Sequence, residues 1–221
     1  MTPPRFRILG FDLDGTLLDT AGDIAAAVNH ALAAEGRAAL PVETVATMIG
    51  GGVRHMLSRA LMASGGHDQA TLDRVQARQL SYYADHLAVA TQPFAGVRET
   101  LDELRRQGVR LAVVTNKVER LSIALLAQVG LLEHFACVIG GDTLPGRGKP
   151  APDPIEAMIA RLGGGQAAFV GDSRFDVEAA HAAGIPVIAC RFGYRDEPVE
   201  AIGADAIIDR FDQLLPTLAR L

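Results

Sequence analysis

Several features that would define other classes of protein are scarce or absent in this chain of 221 residues. It has two cysteines, Cys137 and Cys190, which lie far apart and follow no CxxC or histidine pattern, so we expect buried thiols there and neither a disulfide nor a metal site. No apolar segment reaches the length of a membrane span, and the apolar stretch near the N-terminus is too short for a signal peptide. The formal net charge of -5 argues against nucleic acid as a partner. These absences predict a cytoplasmic protein that acts on neither membranes nor nucleic acids.

What the chain does contain is an alternation of short apolar runs with segments of helical periodicity. With 49% hydrophobic residues, it can bury a sizeable core. Strands that alternate with helices predict an α/β fold, a Rossmann-like, doubly wound parallel sheet with helices on both faces. The predicted strands are 6–11, 109–114, 137–139, 167–170, 186–190 and 206–208.

One long segment departs from this alternation. Between the first and second predicted strands the pattern is helical throughout. One apolar stripe of this segment consists of Leu72, Val75, Tyr83 and Leu87. We therefore predict a helical cap domain at 19–90, inserted into an α/β core domain formed by 1–18 and 91–221.

Two carboxylates follow the first predicted strand, in the sequence FDLDGT. Asp12 and Asp14 are separated by one residue, and residues i and i+2 of an extended chain face the same side. At about 4 Å and an effective dielectric constant near 20, the repulsion between two such charges is of order 4 kcal/mol. The pair therefore requires a cation or a shifted pKa, and it predicts a metal site or an acid/base site.

Polar residues also follow three later strands of the predicted sheet. Thr115 and Asn116 follow the second strand. Asp172 and Asp176 follow the fourth, and a loop after the third leads to Lys149. Ligand sites in doubly wound sheets lie outside the carboxyl ends of the strands, which is where these residues converge. A single polar strand end is also what an ordinary turn requires, so it is their convergence that favours a phosphate or metal site.

Lysine is rare in the chain, which has two lysines among its 21 basic residues. Lys149 stands in KPAPDP, where alternate prolines exclude the helical region for the residues before them and favour a stiff, extended segment. We therefore interpret Lys149 as a positioned charge for a phosphate. The other lysine, Lys117, lies near the end of the second strand, where it could equally be solvated at a helix start. Asp153 is the predicted cap of the helix after Lys149.

Four of these segments, in this order, carry a resemblance to a known family. They are DLDGT at 12–16, VVTN at 113–116, KPAPDP at 149–154 and GDSRFD at 171–176. Together they resemble the haloacid dehalogenase superfamily of phosphohydrolases over nearly the whole chain. The sequences TNK at 115–117 and GGDTLP at 140–145 look most like the phosphoglycolate phosphatase branch.

The resemblance implies a nucleophile and an acid/base in the carboxylate pair. Asp12 would attack phosphorus to form an aspartyl-phosphate, and Asp14 would protonate the leaving alcohol and then take a proton from water. An acid at the second position also distinguishes the chain from the dehalogenases, whose leaving halide needs no proton. The implied reaction is magnesium-dependent hydrolysis of a small phosphomonoester, with 2-phosphoglycolate as the first candidate.

The resemblance also implies how a Mg²⁺ ion and the phosphoryl group are held. The expected metal ligands are Asp12, the backbone carbonyl of Asp14 and Asp172, with Asp176 in support. The expected ligands of the phosphoryl oxygens are Thr115, Asn116 and Lys149. Lys149 would also stabilise charge during phosphoryl transfer, so we count it among the catalytic residues.

In the predicted cap, the glycines at 50–52 precede a helix N-terminus, which attracts anions. Arg54 in the first turn of that helix could bind the carboxylate of phosphoglycolate. It could equally be an exposed arginine beside a loop that serves cap packing.

Other functions share these motifs. One alternative is a phosphatase for sugar phosphates or nucleotides, and another is a phosphomutase that uses the same aspartyl-phosphate. A non-catalytic regulatory protein could also have this fold, since fold alone does not determine function. The combination of Asp12, Asp14, Thr115, Lys149 and Asp172 argues against the regulatory alternative. We expect a monomer or homodimer whose partner is a small phosphorylated metabolite.

Overall fold

A six-stranded parallel sheet forms the centre of the protein in a computed structural model, which describes residues 5–221. The strands of this sheet are β1 (Ile8–Phe11), β4 (Arg110–Val114), β5 (Cys137–Ile139), β6 (Ala167–Gly171), β7 (Val187–Cys190) and β8 (Ala206–Ile208), and a separate short pair consists of β2 (Leu18–Asp19) and β3 (Gln92–Pro93). The order in the sheet is β5-β4-β1-β6-β7-β8, with every neighbouring pair parallel. The predicted α/β, doubly wound fold is confirmed.

Helices connect these strands. They are α1 (Ala21–Ala33), α2 (Val42–Ala46), α3 (Val53–Ala63), α4 (Gln69–Asp85), α5 (Val97–Arg106), α6 (Glu119–Gln128), α7 (Asp153–Arg161), α8 (Arg174–Ala182) and α9 (Leu214–Leu218). Across residues 5–221, none has both the length and the apolar character that a bilayer span requires.

Both faces of the sheet are buried, which explains why its strands are continuous apolar runs. On one face, Leu9 of β1 belongs to an apolar cluster with Leu101 of α5. On the other face, Ile8 belongs to a cluster with Met158 of α7 and Val177 of α8. Because strands of this kind are apolar throughout, each observed strand end lies within about two residues of its predicted position.

The start of α7 differs from its prediction. The helix begins at Asp153, its N-cap residue is Pro152, and no side chain accepts a capping hydrogen bond there. The prediction that Asp153 caps this helix was wrong, because its carboxylate forms an ion pair with Arg147 at 2.6 Å. This ion pair connects the loop before α7 to the first turn of the helix.

Four helices, α1 to α4, lie between β2 and β3, which pair antiparallel where the chain leaves the sheet and returns to it. Leu57 and Val75 of this segment share one apolar cluster with Leu9 of the sheet, so a continuous apolar cluster connects the helices with the core. We propose that 19–90 forms the cap domain and that 1–18 and 91–221 form the core. Residues 1–4 of that core lie outside the described residues.

Side-chain hydrogen bonds stabilise both chain connections between the core and the proposed cap, near residues 20 and 90. Asp23 accepts hydrogen bonds from the backbone N–H groups of Ala90 and Thr91, at 3.0 and 2.9 Å. The hydroxyl of Tyr194 accepts a hydrogen bond from the backbone N–H of Thr20 at 2.8 Å. These bonds hold the helical segment over the carboxyl ends of the sheet strands.

Candidate active site

The carboxyl ends of β1, β4 and β6 lie side by side, because β1 pairs with β4 on one side and with β6 on the other. Asp12 follows β1, Thr115 follows β4 and Asp172 follows β6. All three residues are buried, with exposed fractions of 4%, 4% and 2%. The topology therefore brings together residues from three distant parts of the sequence.

Lys149 lies between two of the carboxylates. Its Nζ donates hydrogen bonds to the backbone carbonyl of Val114 at 2.8 Å and to Oδ1 of Asp176 at 2.5 Å. The same Nζ is 3.0 Å from Oδ1 of Asp12, an ion pair without the alignment of a hydrogen bond. Burial lowers the pKa of Lys149, but the two carboxylates outweigh that effect and raise it, so the ammonium stays charged.

Three buried carboxylates form an acidic cluster. Asp12, Asp172 and Asp176 each place one oxygen within 4.8 Å of the others. Burial is the main cause that raises the pKa of Asp12 to about 6, against the opposing charge of Lys149. Burial also raises the pKa of Asp172. Such a cluster is electrostatically unfavourable unless a cation accompanies it.

The balance of buried charge fits a divalent metal. The carboxylates near the strand ends are Asp12, Asp14, Asp172 and Asp176. Two lysines, Lys117 and Lys149, face them, so four negative charges meet two positive ones and two remain uncompensated. Oδ1 of Asp12 is buried and accepts no aligned hydrogen bond within the described part of the chain, although the ammonium of Lys149 is 3.0 Å away. Hard cations such as Mg²⁺ bind this kind of oxygen donor, so the residues present fit the implied metal.

The residues after Asp14 hold Asp172 in place. The hydroxyl of Thr16 donates a hydrogen bond to Oδ1 of Asp172 at 3.0 Å, and the backbone N–H of Tyr194 donates to Oδ2 at 2.6 Å. Gly15 has a φ of +84°, and a Cβ there would lie 2.4 Å from Oδ2 of Asp172. The DGT sequence therefore permits the close approach of two loops as well as supplying a carboxylate.

Asp176 combines two tasks. Its Oδ2 accepts hydrogen bonds from the backbone N–H and hydroxyl of Ser173, at 3.0 and 2.7 Å, and this capping box begins α8. Its Oδ1 accepts the hydrogen bond from Lys149. This side chain is 0% exposed and both of its oxygens accept hydrogen bonds, so it cannot move freely. It therefore fixes the positions of Lys149 and Ser173.

Lys117 is buried and paired, and it is not a solvated residue. Its Nζ lies 2.9 and 3.1 Å from the two carboxylate oxygens of Asp14 and donates a hydrogen bond to the hydroxyl of Tyr83 at 2.7 Å. Burial lowers the pKa of Lys117, yet Asp14 and Tyr83 together raise it well above its ordinary value. Because Tyr83 belongs to α4, this lysine connects the carboxylate pair to the helical segment.

The side chains of two expected substrate ligands are bonded to other parts of the protein. The side-chain amide of Asn116 donates hydrogen bonds to the backbone carbonyls of Gly50 and Lys149, both at 2.9 Å, so it joins two loops. The guanidinium of Arg54 donates to Asp73 and to Gln76, both at 2.8 Å. It lies on the outer side of the helical segment, and the structure does not bring it to the strand ends.

A small cavity lies between the strand ends and the helical segment, with a volume of about 60 Å³. By this measure one water molecule needs about 10–15 Å³, so the cavity has room for several water molecules or part of a small ligand. The polar residues that line it are Asp12, Asp14, Thr115, Asn116 and Lys117 from the strand ends, and Gln79 and Tyr83 from α4. Sequence reasoning did not single out Gln79, although it lies at a helical position within the apolar stripe of α4.

Comparisons with known proteins agree with this geometry. The family model of haloacid dehalogenase-like hydrolases matches residues 9–190, and the chain belongs to that family. A phosphoglycolate phosphatase of Caulobacter vibrioides is 42% identical over 210 residues, covering 92% of this chain and 86% of the relative. A phosphoglycolate phosphatase of Mesorhizobium japonicum is 41% identical over 216 residues, covering 96% and 94%.

Solved structures are similar over equally long stretches. A structure named as a predicted phosphoglycolate phosphatase from Haemophilus somnus has a TM-score of 0.91 at 32% identity, covering 96% of this chain and 98% of the other. CbbY from Rhodobacter sphaeroides in complex with phosphate has a TM-score of 0.78 at 25% identity, covering 95% and 96%. The resemblance seen in the motifs is confirmed, and the chain is a phosphatase of the haloacid dehalogenase-like family.

Proposed function

We propose that this protein hydrolyses 2-phosphoglycolate to glycolate and phosphate in a Mg²⁺-dependent reaction through an aspartyl-phosphate intermediate. The observation that carries the proposal is the buried contact of Asp12 with Lys149, beside an acidic cluster and at the wall of a small cavity. The names of the relatives at about 40% identity support the choice of substrate.

Asp12 is the proposed nucleophile. Its carboxylate oxygen bonds to phosphorus while the bond from phosphorus to the glycolate oxygen breaks. Asp14, in its protonated form, donates a proton from one carboxyl oxygen to that leaving oxygen, while the other carboxyl oxygen remains hydrogen-bonded to Lys117. Asp14 then takes a proton from the water that attacks phosphorus, and phosphate leaves as the Asp12 carboxylate is restored. Asp14 suits this proton transfer because it lines the cavity together with Asp12.

The proposed metal ligands are the carboxylates of Asp12 and Asp172 and the backbone carbonyl of Asp14. A bound Mg²⁺ ion would offset the negative charge of the carboxylates and of the phosphoryl group. Asp176 supports this arrangement, since it fixes Lys149 on one side and the loop before α8 on the other.

Thr115, Asn116 and Lys149 are the proposed ligands of the phosphoryl oxygens. Thr115 lies on the cavity wall, and the ammonium of Lys149 is within 3.0 Å of the nucleophile. A positive charge held this close to the reacting atoms stabilises the charge that develops in phosphoryl transfer. Because the side-chain amide of Asn116 is bound to two carbonyls, we propose that its contribution comes from the backbone of the loop.

The lining of the cavity favours this proposal over the alternatives. On the side of the helical segment it is mostly aliphatic, and Gln79 and Tyr83 supply its polar side chains among the described residues. A sugar phosphate or a nucleotide has several hydroxyl groups that would need more polar partners than this wall offers.

A phosphate-release assay tests the proposed function. We expect rapid release from 2-phosphoglycolate, slower release from glucose 6-phosphate and from nucleoside monophosphates, and loss of activity with a chelator that is reversed by added Mg²⁺. Activity that persists in excess chelator would contradict the metal requirement. A faster reaction with a sugar phosphate, or isomerisation without phosphate release, would replace phosphoglycolate hydrolysis with one of the alternatives.

A further inference from the structure

Gln79 occupies a position where an apolar side chain is expected. The buried face of α4 consists of Leu72, Val75, Gln79 and Tyr83, at the spacing of an apolar helical stripe. Gln79 is 3% exposed, and its Oε1 has no hydrogen-bond partner among the residues that the structure describes. Native proteins rarely leave a buried amide unpaired, because the desolvated group is unfavourable without a partner.

The unpaired amide lies at the wall of the active-site cavity. Gln79 and Tyr83 are the only described residues of α1 to α4 and their connecting loops that bring a polar side chain to this wall. The others with side chains there are aliphatic or methionine, such as Ile24, Ile49 and Met56. Gln79 and Tyr83 are one helical turn apart, so both face the cavity from the same side of α4.

A positively charged side chain, that of Lys117, lies next to Tyr83. Among the residues of 5–221 that line the cavity, Lys117 is the only cationic one, and it donates a hydrogen bond to the hydroxyl of Tyr83. The Tyr83 hydroxyl accepts that bond, so its own hydrogen is available to donate. The unpaired Oε1 of Gln79 is an acceptor, but a half-turn about the last side-chain bond exchanges it with the NH₂ group at little cost. With the NH₂ group towards the cavity, Gln79 supplies two further N–H donors.

We propose that Gln79 and Tyr83, together with Lys117, which is hydrogen-bonded to Tyr83, form the subsite that binds the carboxylate end of the substrate. A carboxylate needs several donors and a compensating charge. This end of the cavity provides the donors between apolar walls, and the charge of Lys117 is available to the substrate when Asp14 carries the proton that it donates to the leaving oxygen. The phosphoryl group then lies against Asp12 in the core, and the two-carbon ester spans the cavity towards α4. This subsite rests on the proposed function, because it gives a carboxylate-binding role to the cap side of the same cavity.

Three two-carbon phosphate esters that differ in the charge of their tail test the subsite. They are 2-phosphoglycolate, ethyl phosphate and phosphoethanolamine, with anionic, neutral and cationic tails. In Gln79→Leu we expect the ratio of kcat/KM for phosphoglycolate to that for ethyl phosphate to fall about tenfold or more, because the carboxylate loses a hydrogen-bond donor. In Gln79→Glu the ratio falls further, and the relative rate for phosphoethanolamine rises, because a carboxylate now faces the tail.

Gln76→Leu is the matched control. Gln76 lies in the same helix but is bonded to Arg54 outside the cavity, so the ratio should stay at the wild-type value. The melting temperature separates a binding role from a structural one. A leucine in place of an unpaired buried amide should keep or raise the Tm, whereas a structural glutamine would lower it. If Gln79→Leu does not fold, Tyr83→Phe provides the same ratio test, since it removes the hydroxyl and keeps the ring.

The outcomes distinguish the subsite from the proposed function. A wild type that prefers phosphoglycolate, with variants that keep this preference, overturns the subsite alone. A wild type that prefers another anionic ester such as 3-phosphoglycerate, and loses that preference in Gln79→Leu, supports the subsite and overturns phosphoglycolate as the substrate. A wild type without any preference for an anionic tail overturns both.

Discussion

Lys149 and Lys117 each neutralise an active-site carboxylate, and they differ in what else they bind. The partners of Lys149 are Asp12, Asp176 and the backbone of Val114, all within the core. Lys117 binds Asp14 in the core and Tyr83 in the proposed cap. The proposed nucleophile is thus held by contacts within the proposed core, whereas the proposed acid/base is held by contacts that join the proposed core and cap. Changes around Lys149 should affect the chemical step, and changes around Lys117 should also affect closure and recognition.

The largest effect is expected for Asp12→Asn. An amide is a poor nucleophile, so turnover of phosphoglycolate should fall by about 10⁴-fold or more while the fold is retained. Phosphate release and the far-UV circular dichroism spectrum measure the two parts of this prediction. Asp85→Asn, an exposed carboxylate at the end of α4, is the control and should keep the wild-type rate. A near-normal rate in Asp12→Asn would remove this residue from the nucleophile role.

Lys149→Met should have the next largest effect. Removing the ammonium leaves Asp12 and Asp176 without their cation, and breaking a buried pair in this way typically costs about 3–5 kcal/mol of folding stability. Activity should fall by roughly 10²–10³-fold through the loss of charge stabilisation. Urea denaturation and kcat measure the two effects. Unchanged stability would show that the two carboxylates do not depend on Lys149.

Lys117→Met should have a smaller effect on the rate and a distinct effect on dynamics. Asp14 loses its partner, and α4 loses its polar connection to the core, so we expect kcat to fall roughly 10–100-fold. Hydrogen exchange of the α4 amides should become faster, because local opening is easier. In Tyr83→Phe the bond to Asp14 remains, so kcat should fall less. If α4 exchanges at the wild-type rate in Lys117→Met, this lysine does not hold the cap.

Arg54→Ala should have the smallest effect. Arg54 is 42% exposed and paired with Asp73 on the outer side of α3 and α4, and exposed ion pairs contribute little. The rates for phosphoglycolate and for ethyl phosphate should both stay within about twofold of wild type. A selective loss of phosphoglycolate activity would restore Arg54 as a carboxylate ligand and weaken the case for Gln79.

The part of the site at the strand ends could be predicted from sequence, because it depends on local features of the chain. Asp12 follows an apolar strand and Asp172 follows another, so strand prediction alone places them at one edge of a parallel sheet. Lys149 could be predicted as a site residue because prolines follow it in the sequence and because lysine is rare in the chain. The cap side was not accessible in this way. Arg54 has the expected residue type at a helix N-terminus, yet partners in α4 hold it outside the cavity.

The sequence by itself determined the order of strands and helices, the carboxylate pair and the family motifs, because these follow from the spacing of apolar and polar residues along the chain. Only the tertiary structure decided the partners of each charge. Whether Lys117 is solvated or buried depends on how α4 packs over the sheet, and so does the exposure of the amide of Gln79 to the cavity. Contacts between units distant in sequence depend on packing in three dimensions, which has no periodic signal in the chain.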